Sequence, residues 1–155
     1  MNQSRRQVMQ LGAATVGLVA AGGLLPVTAQ AADAPGWDPK LFGAKSLEEI
    51  AQILGVSATE SSDVSIVGPD IAENGAVVPV GVKSTAAGAT AIGIVVKNNP
   101  TALVALFHLK DGAVPNLATR IKMAKTSDVY AVALAGGKLL YAKKEIKVTL
   151  GGCGG

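Results

Sequence analysis

Apolar residues fall on every second position along most of this chain, and that spacing limits what it can fold into. Val78, Val80 and Val82 alternate with Pro79 and Gly81, and Ile92, Ile94 and Val96 repeat the pattern. Leu103, Ala105, Phe107 and Leu109 share one parity, and Ile121 and Met123 alternate with Arg120 and Lys122. Ile146, Val148 and Leu150 alternate with Glu145, Lys147 and Thr149. A strand turns successive side chains to opposite faces, so a period of two builds one buried face; a helix needs a period near 3.6. Short apolar runs at Val64–Val67, Val129–Leu134 and Leu139–Ala142 complete the set. Turn formers punctuate it at Gly68-Pro69, Asn98-Asn99-Pro100 and Asp111-Gly112, and Gly136-Gly137 closes a hairpin. The spacing predicts about seven or eight short strands in an all-β sandwich. Proline cannot donate to a ladder, so the strand holding Pro79 is expected at a sheet edge or a bulge.

One stretch reads as a helix. Ser46-Leu47-Glu48-Glu49 is a capping box, in which Ser46 accepts from the Glu49 amide and Glu49 reaches back. Leu47, Ile50, Ala51 and Leu54 share a helical face, and Gly55 ends the helix, which is too short to stand alone. Upstream, Asp33–Gly43 reads as an irregular lead-in in which Trp37 anchors packing. Ser57–Asp63 reads as a polar break. Asp70-Ile71-Ala72-Glu73-Asn74-Gly75 reads as a turn-prone loop whose Asp70 and Glu73 are solvated charges rather than acid–base groups.

Aromatic residues make up 3% of the chain, so the core is expected from Val, Ile, Leu and Ala. A partner subunit adding buried surface suits such a core. One cysteine excludes an internal disulfide and a cysteine-based zinc site; one histidine, His108, excludes a multi-histidine metal site. His108 is expected at a surface or interface rather than as ligand or base. The formal charge of +3 includes Arg5 and Arg6; without residues 1–31 it is +1, from 12 basic and 11 acidic residues. No Lys/Arg cluster with interleaved aromatics is present, so nucleic acid is not an expected partner.

Ser4-Arg5-Arg6-Gln7-Val8-Met9 fits the twin-arginine export pattern, followed by an uncharged Gly/Ala-rich segment to Leu25. Ala29-Gln30-Ala31 offers the small residues a signal peptidase reads. Residues 1–31 are therefore expected to be a cleaved leader, leaving no membrane anchor. Residues 32–150 form the domain and 151–155 a tail.

That tail is Gly151-Gly152-Cys153-Gly154-Gly155. Glycine adds no side chain and little conformational preference, so the cysteine is expected on a thin arm with a reach of roughly 17 Å. The nearest basic residue is Lys147, so no local group activates the thiol. Cys153 reads as an attachment point rather than a catalytic nucleophile, with activation left to partners.

Several segments together resemble the cysteine-bearing carrier subunit of the bacterial Sox sulfur-oxidation system, the SoxY component of its YZ complex. They are Arg5-Arg6, Pro69–Val80 with its Ala72-Glu73-Asn74-Gly75 loop, Lys97-Asn98-Asn99-Pro100, Thr119–Ala124 and the terminal Gly-Gly-Cys-Gly-Gly. The resemblance implies an immunoglobulin-like sandwich in the periplasm, paired as a heterodimer with a SoxZ-like subunit. It implies that Cys153 carries sulfur intermediates covalently, with Gly151, Gly152, Gly154 and Gly155 as the flexible arm. It further implies that a haem cytochrome joins thiosulfate to the thiol, that a hydrolase removes the sulfone group and that a sulfur dehydrogenase oxidises what remains. No catalytic residue, metal or cofactor is implied for the carrier itself. The alternative reading is an exported interaction module whose Cys153 forms an intermolecular disulfide. An enzyme with a Cys153 nucleophile lacks a base–orienter pair, and a copper-binding sandwich lacks clustered Met and His.

Overall fold

The computed structural model describes residues 38–151. The leader, Trp37 and Cys153 lie outside the described residues. Two helices come first, α1 (Pro39–Gly43) and α2 (Leu47–Ile53). Nine strands follow among the described residues: β1 (Ser57–Glu60), β2 (Val64–Val67), β3 (Ile71–Ala72), β4 (Val78–Ser84), β5 (Ala89–Val96), β6 (Leu103–His108), β7 (Asn116–Ile121), β8 (Ser127–Ala135) and β9 (Lys138–Val148).

The strands form two sheets. The larger has the order β1-β9-β8-β5-β6, with β3 also on β9, and the smaller has the order β2-β4-β7. Between them lies an aliphatic core that includes Val78, Val82, Ile92, Ile94, Val96, Met123, Val129 and Ile146. The helices cover the other face of the larger sheet, where Leu41, Leu47 and Ile50 pack with Val95, Leu103, Val132 and Leu139. β5 is thus buried on both faces, from Ala91 to Val96. Its centre admits no side chain: a Cβ on Gly93 would lie 2.6 Å from the Ala105 carbonyl oxygen of β6.

The capping box forms with a shift. Ser46 Oγ accepts from the Glu49 amide at 3.1 Å, but the Glu49 carboxylate takes the Lys45 amide at 2.6 Å, one residue beyond the expected partner. Gly55, at φ +68°, closes α2: its amide donates to Gln52 and that of Val56 to Ala51, a Schellman pair. Ser46→Ala removes the cap acceptor and is expected to cost about 1 kcal/mol, seen as a lower urea midpoint at unchanged slope.

Four local expectations change. α1 replaces part of the irregular lead-in, because Asp38 caps it, accepting from the Lys40 amide at 2.9 Å, and Pro39 takes the first helical position. The polar Ser57–Glu60 is a strand: it gains its bonds by lying parallel along β9 at a sheet edge, which requires no apolar face. The Leu139–Ala142 and Ile146–Val148 runs are one strand, since β8 pairs with β9 from Lys138 to Ile146. A register shift at Ile94/Val95 breaks the single parity expected from Leu103 to Leu109: Leu103 and Leu106 pack under the helices, whereas Val104 and Leu109 pack toward the other sheet.

Pro79 follows the expectation in a local sense. β4 is the central strand of its sheet, but β2 pairs only with Gly81–Ser84. At Pro79 the sole neighbour is β7, opposite Arg120, so the missing N–H leaves no ladder partner bereft. The hairpin at Gly136-Gly137 is also formed. Both glycines have positive φ (+56° and +71°), which a two-residue turn matching strand twist requires.

Candidate functional site

Cys153, Gly152, Gly154 and Gly155 lie outside the described residues; Gly151 and the segment that holds it are described. β9 delivers the chain to this point, and hydrogen bonds grip each residue after it. The Val148 amide donates to Thr126 Oγ1 at 3.0 Å. The Thr149 amide donates to the Ala72 carbonyl at 3.1 Å, and Thr149 Oγ1 donates to the Glu73 carbonyl at 2.9 Å. The Leu150 carbonyl accepts from the Gly75 amide at 2.7 Å, and the Gly75 carbonyl in turn accepts from the Met123 amide at 2.7 Å.

Two further loops brace this collar. Asn99 reaches across with both ends of its amide, donating to the Lys122 carbonyl at 2.8 Å and accepting from the Ala124 amide at 3.0 Å. Asn98 donates through Nδ2 to the Thr126 carbonyl at 2.9 Å, and its own amide donates to Ser127 Oγ at 3.0 Å. Asn74 Oδ1 accepts from the Ala76 amide at 2.8 Å, an Asx turn that shapes the loop around buried Gly75. Lys144 holds the start of that loop through an ion pair with Asp70 at 2.9 Å and a hydrogen bond to the Gly68 carbonyl at 2.5 Å. The loops at 69–77, 97–100 and 122–127 therefore meet at the end of β9.

Gly151 rests directly on this collar. A Cβ there would lie 2.5 Å from the Ala124 carbonyl oxygen, closer than a side-chain carbon can approach backbone. The glycine is thus required by close packing at the root, separately from any flexibility beyond it. Gly151→Ala is expected to part the root from its seat and weaken the bond from the Gly75 amide to Leu150. Hydrogen exchange at the Gly75 amide should quicken about tenfold or more, for a loss near 1.4 kcal/mol. Wild-type protection in the variant would contradict the seat.

The other candidate residues do not join this site. His108 is exposed at the end of β6, opposite Ala91, at the far end of β5 from Lys97. Ala91 and Lys97 are six residue steps apart, roughly 20 Å along the strand. His108 lines an apolar cavity of about 230 Å³ with Asp38, Leu41, Leu54 and Leu139. The exposed Asp70 serves the Lys144 ion pair, and Glu73 contributes its backbone carbonyl to Thr149. Among the described residues no group of three or more His, Cys, Asp or Glu is placed to hold a metal. Tyr130 meets Tyr141 edge-on at 5.7 Å; burial first, then the Asp128 carboxylate, pushes its hydroxyl above the ordinary tyrosine range, so it stays neutral. Sequence reasoning missed Thr126, Thr149 and Ala124. Thr126 and Thr149 act through a hydroxyl and a backbone group each and Ala124 through backbone alone, and no residue pattern marks such roles.

Described residues of all four mature segments that carried the family resemblance, with Gly151 for the last of them, meet here, although up to about eighty residues separate them. A profile described as "Sulfur oxidation protein SoxY" matches residues 50–153 and so reaches the terminal cysteine. The chain belongs to the SoxY family. Among solved structures it is similar to the sulfur carrier protein SoxY from Chlorobium limicola f thiosulfatophilum, at 41% identity. That match covers 66% of this chain and 94% of the other, with a TM-score of 0.60. No curated protein matches the chain. The sandwich of this SoxY-family chain is the immunoglobulin-like fold that the resemblance implied. The cysteine pair typical of antibody domains is absent, and aliphatic packing between the sheets takes its place.

Proposed function

We propose that the chain is a covalent sulfur carrier of the periplasm, exported by the twin-arginine route, and that Cys153 is the residue loaded. The observation that carries this reading is the family match running through Cys153, in a chain whose last described residue, Gly151, sits against Ala124 directly after the hydrogen-bonded Leu150. A fixed root and a side-chain-free tip suit a thiol that must enter narrow active sites belonging to other proteins. Tethering also raises the effective concentration of cargo at each of them.

The chemistry balances without any catalytic group on the carrier. The thiol and thiosulfate join by an S–S bond, losing one proton and two electrons, which a haem cytochrome accepts. Water then cleaves the terminal sulfonate as hydrogen sulfate, leaving a persulfide on Cys153. A sulfur dehydrogenase accepts six electrons from that sulfane sulfur while three waters supply the oxygens of a new sulfonate, and a second hydrolysis releases hydrogen sulfate and frees the thiol. The carrier works as a heterodimer with a SoxZ-like subunit and is not itself an enzyme.

The test is the intact mass of the protein from thiosulfate-oxidising cells, with and without reductant. A reducible adduct on Cys153 carrying sulfane or sulfonate mass is expected. A bare thiol, or a Cys153–Cys153 dimer alone, would instead favour an interaction module.

A further inference from the structure

One row of residues crosses the larger sheet near its hairpin end. His108 of β6 lies opposite Ala91 of β5, Ala91 opposite Leu134 of β8, and Leu134 opposite Leu139 of β9. Directly opposed residues share a face, here the one under the helices, where Leu139 packs with Leu41 and Leu47. This row is the floor of the apolar cavity of about 230 Å³ beside His108. Leu106 and Val132, which flank Gly93 in the next row on that face, bound it toward the middle of the sheet. Leu41 of α1 and Leu54 after α2 bound it on the helical side.

The cavity calls for an apolar group of definite size. Among the described residues that line it, only Asp38 and His108 have polar side chains, so a strongly polar occupant would meet few partners there. An apolar cavity of about 150 Å³ stays dry and accepts a benzene ring. The volume here is about one and a half times that, which is also the ratio of an indole's nine ring atoms to the six of benzene.

The chain itself supplies such a group at the cavity wall. Asp38, where the described chain begins, lines the cavity, and the residue joined to it is Trp37, the single tryptophan. Consecutive Cα atoms are about 3.8 Å apart, so the indole starts beside the wall. With the leader removed after Ala31, the residues before Asp38 are Ala32-Asp33-Ala34-Pro35-Gly36-Trp37, and Trp37 is the one large apolar side chain among them.

We infer that this cavity is the seat of Trp37, and that the indole closes it and pins the first residues of the mature chain to the end of the sandwich opposite the arm. Leu139 stands at the start of β9 and Val148 ends it, nine residue steps or roughly 30 Å further on, and the arm leaves beyond Val148. The N-terminal segment is thereby kept clear of the root of the arm. The choice of Trp37 rests on the leader reading above, which the intact mass tests separately because it fixes where the mature chain begins.

The test uses the full mature chain, in which Trp37 is the sole source of indole fluorescence. Its emission is expected at the short wavelength of an apolar site and shielded from acrylamide, moving to that of free tryptophan only with the urea transition. Ala91→Leu puts a larger side chain into the floor of the seat and is expected to shift the native emission to that of a solvated indole. Trp37→Ala should lower the folding constant about a hundredfold or more. Free indole, added as the probe, should then raise the urea midpoint of Trp37→Ala, or restore its folding, and leave wild type unchanged. Solvated emission from the native wild-type chain would overturn the seat, as would a Trp37→Ala variant as stable as wild type. A shielded Trp37 that folded Ala91→Leu leaves unmoved, with no gain from indole in Trp37→Ala, would place the ring elsewhere and overturn it equally. An intact mass that retains residues 1–31, with Trp37 shielded and displaced by Ala91→Leu, would count against the leader and support the seat.

Discussion

Cys153→Ser is expected to abolish loading: no sulfur adduct appears in the intact mass, and thiosulfate-dependent reduction of the haem cytochrome falls to background. Serine keeps the shape but puts a hydroxyl in place of the thiol. An oxygen cannot take part in the S–S bond on which every later intermediate hangs, so the effect is a complete loss rather than a graded one. The substitution lies outside the described residues and exchanges a single atom, so stability measured by urea denaturation is expected to change by no more than about 0.5 kcal/mol. The two readouts separate function from fold. Residual adduct on the serine variant would mean that cargo attaches elsewhere, and the carrier assignment to Cys153 would fall. A large loss of stability would mean that the cysteine packs against the domain instead of serving as its handle.

The largest effect on folding is expected at Gly93. A methyl group there would meet the Ala105 carbonyl oxygen at 2.6 Å, Val132 Cγ2 at 3.2 Å and Leu106 Cδ1 at 3.3 Å. The first contact is backbone of the adjoining strand, so it yields only if β5 and β6 separate. β5 has β8 on its other side, the helices above and the small sheet below, and it has nowhere to go. Gly93→Ala should cost about 3 kcal/mol, the upper range for overpacking a tight core. Urea denaturation would show a midpoint well below wild type with a similar slope. Gly43→Ala is the matched control, because nothing lies within 4 Å of its Cβ position and its φ is not in the left-handed region. It should be neutral or slightly stabilising, since alanine restricts the unfolded chain more than glycine does. Equal stability of the two variants would show that β6 adjusts freely and that the close approach carries no cost.

Much of the sandwich is legible in the residues, and the exceptions share a cause. Alternation locates β4 and β5, and short apolar runs locate β2 and β8, because each of these strands buries side chains against the other sheet. It fails at β1 and β3, which are short strands added to the flank of β9. Their order comes from backbone hydrogen bonds to a neighbour, and a backbone bond leaves no mark on side-chain choice. It also fails at the join within β9, where Lys143, Lys144 and Glu145 read as an interruption. Lys144 is drawn onto Asp70 and the Gly68 carbonyl instead, and the strand continues through it. Gly93 falls between the alternating Ile92 and Ile94, and nothing in that pattern shows that the space for its side chain is closed.

The site divides in the same way. Cys153 and its glycines are legible because the chemistry of a thiol, and the absence of side chains around it, belong to the residues themselves. The capped helix, the Gly-Gly hairpin and the aliphatic core are legible for the same reason: each follows from a local conformational preference or a short-range period. The collar is different. Thr126, Asn99, Gly75 and Ala124 hold the end of β9 only because chain closure brings together loops that lie far apart along it. Gly151 shows both sides at one position. As a residue it reads as the first link of a flexible arm, and only its 2.5 Å approach to Ala124 makes it part of the root. Which face of the smaller sheet meets the core is likewise a tertiary matter, since alternation specifies that β4 has two faces but not which of them the rest of the chain covers. Side-chain chemistry and local geometry are properties of sequence, whereas a close contact between distant segments exists only once the sheets have paired and packed.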